Sequence, residues 1–265
     1  HPFSPQEATL RVTANLFDVA SLQEQYNKIK ASNLHSIGTA GRLYYGQDNK
    51  IQFKIDGDLR PIMRYPHRKD DDKTGAIVMY EAPYKNQNQQ VPHNLYVLCH
   101  DPYGQNQSAD SMSLGSAYII KRVNNISQPD DMIVASYVGR PHTQDEYNKN
   151  LFMLADYYNC KIGFENDRGE VIAYAKRQEE FEMLDKKELR SKTVKRQYGM
   201  HMTEARKRQG EIYIRDWLNS PRSKDEKGNQ ILNMHKIYDL GLLQELIKFN
   251  HKGNFDRVQE VYKYR

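Results

Sequence analysis

The segment Asn94-Leu95-Tyr96-Val97-Leu98-Cys99 restricts the fold more than any other stretch, because it is almost continuously apolar and then stops at His100-Asp101-Pro102. A short apolar run of this kind suits a strand covered on both faces. Pro102 has no N–H for a ladder, so the strand is expected to end beside it. A strand buried on both sides needs neighbours, and the following sequence supplies them. Ser116 to Val123 and Met132 to Tyr137 read as two more strands, and His142 to Tyr158 places Tyr147, Leu151, Leu154 and Tyr158 at helical spacing. Lys161 to Phe164 is a short strand ending at Glu165, and Gly169 to Arg177 opens another helix. Strands first, then strands alternating with helices, predict an α/β sheet with one antiparallel part.

Upstream, Ser4 to Leu10 reads as a capped helical turn, and Ser21 to Ser32 as a helix in which Ser21 and Glu24 repeat the capping spacing. Arg42 to Tyr45, Ile51 to Ile55, Ile62 to Tyr65 and Gly75 to Tyr84 are strand-like, with turns at Asp48-Asn49 and Asp56-Gly57-Asp58. The Asn- and Gln-rich stretch Asn86 to Pro92 is the best linker. Three parts are therefore expected: residues 1–32, a small β-rich region over 33–90, and an α/β domain over 91–265. The charged stretch Gln178 to Arg208 reads as a solvated helix pair or a functional loop. Glu211 to Leu218, Tyr238 to Lys248 and Phe255 to Tyr264 read as helices.

With 38% hydrophobic and 28% charged residues the chain has the balance of a globular protein rather than a disordered one. No apolar run reaches the roughly 18 to 20 residues that span a bilayer, so no membrane partner is expected. The two cysteines, Cys99 and Cys160, form no zinc-spaced cluster, and their isolation suits a reducing compartment. The net charge of +5 is compatible with a polyanionic partner without establishing one. No Gly-x-x-x-x-Gly-Lys-Ser/Thr cradle for a nucleotide is present, so ATP hydrolysis by this chain is not expected. The chain starts at His1 rather than Met, from which a longer parent chain is expected.

Three acids stand at informative places. Asp101 follows the apolar strand, where a carboxylate points into the crevice at the carboxyl ends of a sheet; Asp-Pro is equally an ordinary turn. Glu165 has the same placement, and if its strand lies parallel to and beside the first, both carboxylates emerge at one sheet edge. A capping role at the next helix suits Asp167 better, which leaves Glu165 free for other work. Asp256, in Asn254-Phe255-Asp256-Arg257-Val258, by itself reads as a first-turn helix acid.

In this order the motifs resemble the RNase H-like nuclease domain of phage terminase large subunits. That family has a strand ending in Asp-Pro followed by a Gly-containing loop, here Asp101-Pro102-Tyr103-Gly104 running to Asp110-Ser111. It has a later strand ending in Glu-Asn and then Gly, here Glu165-Asn166 with Gly169, and a third acid at the start of the last helix, here Asp256. Asp239 to Leu246 resembles the family's late helix. Pro2-x-Ser4-Pro5-Gln6-Glu7-Ala8 with Asn15-Leu16-Phe17 resembles the linker leaving the packaging ATPase, with Thr9 departing from the usual Phe. Residues 33 to 90 match no part of the pattern.

The resemblance implies an RNase H-like mixed central sheet flanked by helices, with residues 1–32 as a linker after an ATPase domain outside this chain. It implies a two-metal endodeoxyribonuclease that cuts concatemeric double-stranded DNA at the start and end of packaging. Asp101, Glu165 and Asp256 would be catalytic and hold two Mg²⁺ or Mn²⁺ ions, with Asp110 an auxiliary ligand. His100 and His142 are weaker candidates for phosphate or metal contact. The basic run with Arg190, Lys192, Lys195 and Arg196, continued by Arg206, Lys207 and Arg208, is the DNA-contact candidate; a solvated helical face is the plain alternative. Implied partners are double-stranded DNA, a portal protein, the small terminase subunit and the ATPase domain, in the cytoplasm of an infected bacterial host. Two rival readings remain: an RNase H-fold resolvase or integrase-like nuclease, and a non-catalytic DNA-binding packaging module.

Overall fold

A computed structural model describes residues 15–32, 38–64, 71–104, 113–166, 170–187 and 197–249. The first helix among the described residues, α1 (Val19–Ala31), is followed by strands β1 (Thr39–Tyr45), β2 (Ile51–Ile55), β3 (Ala76–Met79), β4 (Tyr96–Asp101), β5 (Gly115–Lys121) and β6 (Met132–Gly139). Helix α2 (Gln144–Tyr157) leads to β7 (Ile162–Phe164) and α3 (Val171–Gln178). Two-residue strands β8 (Lys186–Lys187) and β9 (Gln197–Tyr198) precede α4 (Glu204–Leu218), the hairpin β10 (Pro221–Lys224) and β11 (Gln230–Leu232), and α5 (Leu240–Lys248).

The chain forms two compact units. The larger, spanning the described residues between 38 and 62 and between 71 and 203, is a seven-stranded mixed sheet in the order β2-β1-β3-β6-β5-β4-β7. The expectation of an α/β sheet with helices against it holds: the fold is mixed α/β with a central mixed sheet flanked by helices. Every pairing is antiparallel except β4 with β7, which run parallel. The region 33–90, expected to be a small β-rich part of its own, supplies β1, β2 and β3 to this same sheet. Ile62 does not begin a strand, because Pro61 precedes it and residues 61–64 join no ladder.

Helix α2 covers one sheet face. Its N-terminus is capped by the Thr143 side chain, which accepts from the Glu146 amide at 3.1 Å. Tyr147, Leu151, Leu154 and Tyr158 are all essentially inaccessible, as their spacing predicted. They pack on Leu98, Ile119, Ala135, Tyr137 and Ile162, which share that face through the strand register. The β4 run alternates after all: Tyr96, Leu98 and His100 are buried, while Cys99 and Asp101 are exposed. The continuous apolar pattern had implied two covered faces; the structure covers one fully.

The smaller unit holds residues 15–32, 63–64 and 204–249 of the described chain. Its core joins Phe17, Leu22 and Ile29 to Leu218, Met234, Ile237, Leu240 and Leu243. The cap of α1 is Asp18 rather than Ser21: Asp18 accepts from both the amide and the hydroxyl of Ser21, at 3.2 and 2.7 Å. Those bonds, the hydroxyl first, hold the Asp18 pKa below its ordinary value. Asn15 is tied in by its side-chain amide, which donates to the carbonyls of Leu246 and Ile247.

Candidate active site at the carboxyl ends of β4 and β7

The strand register sets the site. Leu98 pairs with Ile162, Cys99 with Gly163 and His100 with Phe164, so Asp101 and Glu165 each stand one residue beyond the last pair of this parallel ladder. Neighbouring strands lie ~4.8 Å apart, and residues level with one another on a pleat share a face. Because His100 and Phe164 are buried on the helix-covered face, Asp101 and Glu165 emerge on the other. Asp101 is exposed and Glu165 is half-buried. Asp101 is itself the last residue of β4, one place further into the ladder than the sequence suggested, and it pairs across to Ser116 of β5.

Glu165 is positioned from its other side as well. It bridges to Met200; the Met200 amide donates to the Phe164 carbonyl at 2.8 Å, and the Asn166 amide donates to the Met200 carbonyl at 3.0 Å. The Asn166 side chain donates to the Tyr198 carbonyl at 3.0 Å. The chain can approach this closely because Gly199 has φ +71° and no side chain: a Cβ there would stand 2.8 Å from the Phe164 ring. The segment 197–200 thus closes the open edge of β7, which the charged composition of Gln178 to Arg208 did not reveal.

Behind Asp101, on the covered face, lies a polar aromatic cluster. The Tyr147 ring stacks on His100 at 5.4 Å and on Tyr137 at 4.8 Å, and meets Tyr103 edge-on at 5.3 Å. His100 Nδ1 lies 2.9 Å from the Ser116 carbonyl oxygen. Burial lowers the His100 pKa to about 4, opposed by that hydrogen bond, so the ring is neutral at physiological pH. His100 thus sits in the core, 6% exposed. Burial pushes Tyr103 up to about 12 and Tyr147 well above its ordinary range, with the charge of Asp101 adding to the Tyr147 rise. The Gln144 side chain donates to the Tyr103 carbonyl at 3.0 Å and so fixes the chain just after Asp101.

The remaining sequence candidates fall elsewhere. Asp110, Asp256, Arg190, Lys192, Lys195 and Arg196 lie outside the described residues. Arg206, Lys207 and Arg208 sit on α4 in the smaller unit, where Lys207 and Arg208 are exposed and Arg206 is half-buried. Lys207 makes a long ion pair of 3.9 Å with Glu204. His142 is exposed, close enough for its charge to be felt at Asp72. Among the described residues no group of three His, Cys, Asp or Glu is gathered closely enough to hold a metal ion. Asp101 and Glu165, which follow neighbouring strands, carry hard oxygen ligands, the donor type that suits Mg²⁺ or Mn²⁺. Also among the described residues, no helix is long and apolar enough to cross a membrane.

Arg140 was not among the residues singled out from the sequence. It follows the last residue of β6, and β6 runs parallel to β4, so Asp101, Arg140 and Glu165 all stand at strand carboxyl ends on one edge. A strand followed by Gly139-Arg140-Pro141 and a helix cap was the available signal.

No family model matches the chain, and no curated protein does. Among solved structures it is similar to the large terminase nuclease from thermophilic phage G20c. The identity is 12%, over 72% of this chain and 92% of that one, with a TM-score of 0.34. A likeness this distant decides nothing about chemistry; the placement of Asp101 and Glu165 comes from the strand register.

Proposed function

We propose that this chain is a metal-dependent DNA endonuclease of a viral genome-packaging motor, cutting with Asp101 and Glu165 at the carboxyl ends of β4 and β7. The observation that carries the reading is the parallel pairing of β4 with β7, which ends at His100 and Phe164, so that two acids far apart in sequence follow immediately, one on each side: Asp101, exposed, and Glu165, half-buried. Like charges a strand spacing apart repel, and a fold gains by placing them so when a cation is to lie between them.

A phosphodiester is already anionic, so hydroxide attack on it is electrostatically disfavoured. Divalent cations held by Asp101 and Glu165 would supply an activated water and neutralise charge on the attacking and leaving oxygens. The protein's own part is positional. Ser116 and the Gln144 bond to Tyr103 hold the chain on either side of Asp101, and Met200 and Asn166 hold Glu165. Asp256 is the proposed third ligand, Asp110 an auxiliary one, and two Mg²⁺ or Mn²⁺ ions the proposed complement. Double-stranded DNA is the proposed substrate, reached through the basic residues Arg190, Lys192, Lys195, Arg196, Arg206, Lys207 and Arg208. A portal protein, a small terminase subunit and an ATPase domain are the proposed partners, in the cytoplasm of an infected host.

The test is plasmid cleavage in Mn²⁺ by the wild type, Asp101→Ala and Glu165→Ala. Each variant should lose at least ~100-fold in rate, with its far-UV circular dichroism and melting temperature near those of the wild type. Undiminished cleavage by Asp101→Ala refutes the assignment.

A further inference from the structure

Arg140 is held in place, and among the described residues no carboxylate neutralises it. Its Nη1 donates to both the carbonyl and the hydroxyl oxygen of Ser113, at 2.9 and 3.0 Å, and its guanidinium carbon lies 4.9 Å from the centre of the Tyr103 ring. Its backbone is fixed too, because the Arg140 amide donates to the Lys73 carbonyl. Among the described residues no carboxylate pairs with it, and Nε and Nη2 have no hydrogen-bond partner. A half-buried guanidinium of this kind keeps one side of its planar fork for an anion. Glu146, whose charge is felt at Tyr103, makes no ion pair with Arg140.

We propose that Arg140 is a phosphate anchor for the DNA strand that enters the Asp101–Glu165 edge. The proposal rests on the nuclease reading for its substrate and adds the residue that seats that substrate. The distance follows from the sheet. β4 and β6 are two strand spacings apart, ~9.6 Å, and Arg140 lies two residues beyond Val138, which is level with Ser116 and Asp101. Adding ~7 Å along the strand puts the two backbones roughly 12 Å apart. Duplex DNA advances ~3.4 Å per nucleotide of one strand, so Arg140 takes a phosphate within a few nucleotides of the one cut. Ser113 and Tyr103 fix the direction of the fork, which a freely rotating surface Lys would lack.

The experiment measures duplex binding by the full chain, without divalent cation, across salt from about 0.05 to 0.2 M. Arg140→Gln should lower affinity about 5- to 10-fold at the lower salt and flatten the log–log salt slope by about 0.9, the value of one phosphate contact. Arg140→Lys should restore the slope while recovering only part of the affinity. Ser113→Ala loosens the clamp but keeps the charge, so its slope should equal that of the wild type. In Mn²⁺, Arg140→Gln should raise KM with kcat within a few-fold. An unchanged salt slope in a folded Arg140→Gln overturns the proposal, and so does a slope that Arg140→Lys fails to restore. Undetectable duplex binding by the wild type overturns it as well. Persistent cleavage by Asp101→Ala alongside the predicted slope change would remove the nuclease assignment and leave the phosphate contact standing.

Discussion

Lys121 offers a test of how this sheet tolerates a buried charge. It ends β5 with its side chain wholly inaccessible, and its Nζ lies 2.7 Å from Glu81 Oε1 and 2.9 Å from the Ser127 hydroxyl. Glu81 retains 28% of its side-chain exposure, so the two partners are not equivalent. Removing the acid strands an ammonium in the interior with a single hydroxyl for company. Removing the base leaves a carboxylate that still reaches water. Breaking a buried pair from the side of the surviving buried charge costs about 3 to 5 kcal/mol, and the remaining Ser127 bond favours the lower end, near 3 kcal/mol for Glu81→Gln. Lys121→Met replaces the stem with an apolar chain of similar length and should cost about 1 kcal/mol or less. The double variant should recover about 2 kcal/mol relative to Glu81→Gln alone, since no charge is then left buried. Urea unfolding followed by far-UV circular dichroism reads all three. If Lys121→Met proves as damaging as Glu81→Gln, the asymmetry argued from exposure is wrong.

Two other substitutions probe the surroundings of the site. The Tyr147 hydroxyl is buried with no hydrogen-bond partner among the described residues, so Tyr147→Phe, which keeps the stacking on His100 and Tyr137, should stabilise by about 1 kcal/mol in the same urea assay; a clear loss would mean the hydroxyl is satisfied. Gly75 has φ +73°, and a Cβ there would stand 2.1 Å from the Val138 carbonyl oxygen, so Gly75→Ala should cost at least about 2 kcal/mol, and a melting temperature equal to the wild type's would refute the clash.

What could be read from the sequence was the part that buries apolar side chains with a period. Helix α2 was legible because its covered face repeats every third to fourth residue, and strands β4 to β7 because each is a short, largely apolar run, although the alternation of β4 was hidden in a continuous one. The β10–β11 hairpin escaped notice because its strands are largely exposed and carry no apolar face; its one clear sign was the Asp225-Glu226-Lys227-Gly228 turn, where Gly228 takes φ +84° and Asp225 accepts from the Lys227 and Asn229 amides. Strands β8 and β9 are two residues each, too short for any period to register. The cap of α1 was misplaced because Ser21 and Asp18 both suit the role, and only the three-dimensional bonds show the aspartate accepting from the serine. For the candidate site, the sequence supplied both acids and the condition for their meeting, a parallel pair of strands. The register that meets this condition is a tertiary fact.

That register also explains why the edge can hold charge at all. The antiparallel run β4-β5-β6 returns the third strand in the direction of the first, and the α2 crossover brings β7 back in that direction too, so three carboxyl ends converge. On the covered face these ends rest on stacked rings, with Tyr147 at the centre and Tyr103, Tyr137 and His100 around it. Large rigid side chains leave the strand ends little freedom to splay, even where acids emerge together. The same Tyr103 that packs on this cluster carries the Arg140 guanidinium on its ring, while the residue two places before it in the chain is Asp101. A change in the packing of Tyr103 is therefore felt at both the acid and the base of the edge. The aromatic cluster thus joins core packing to the Arg140 guanidinium, while the strand register sets the backbone spacing between Asp101 and Arg140.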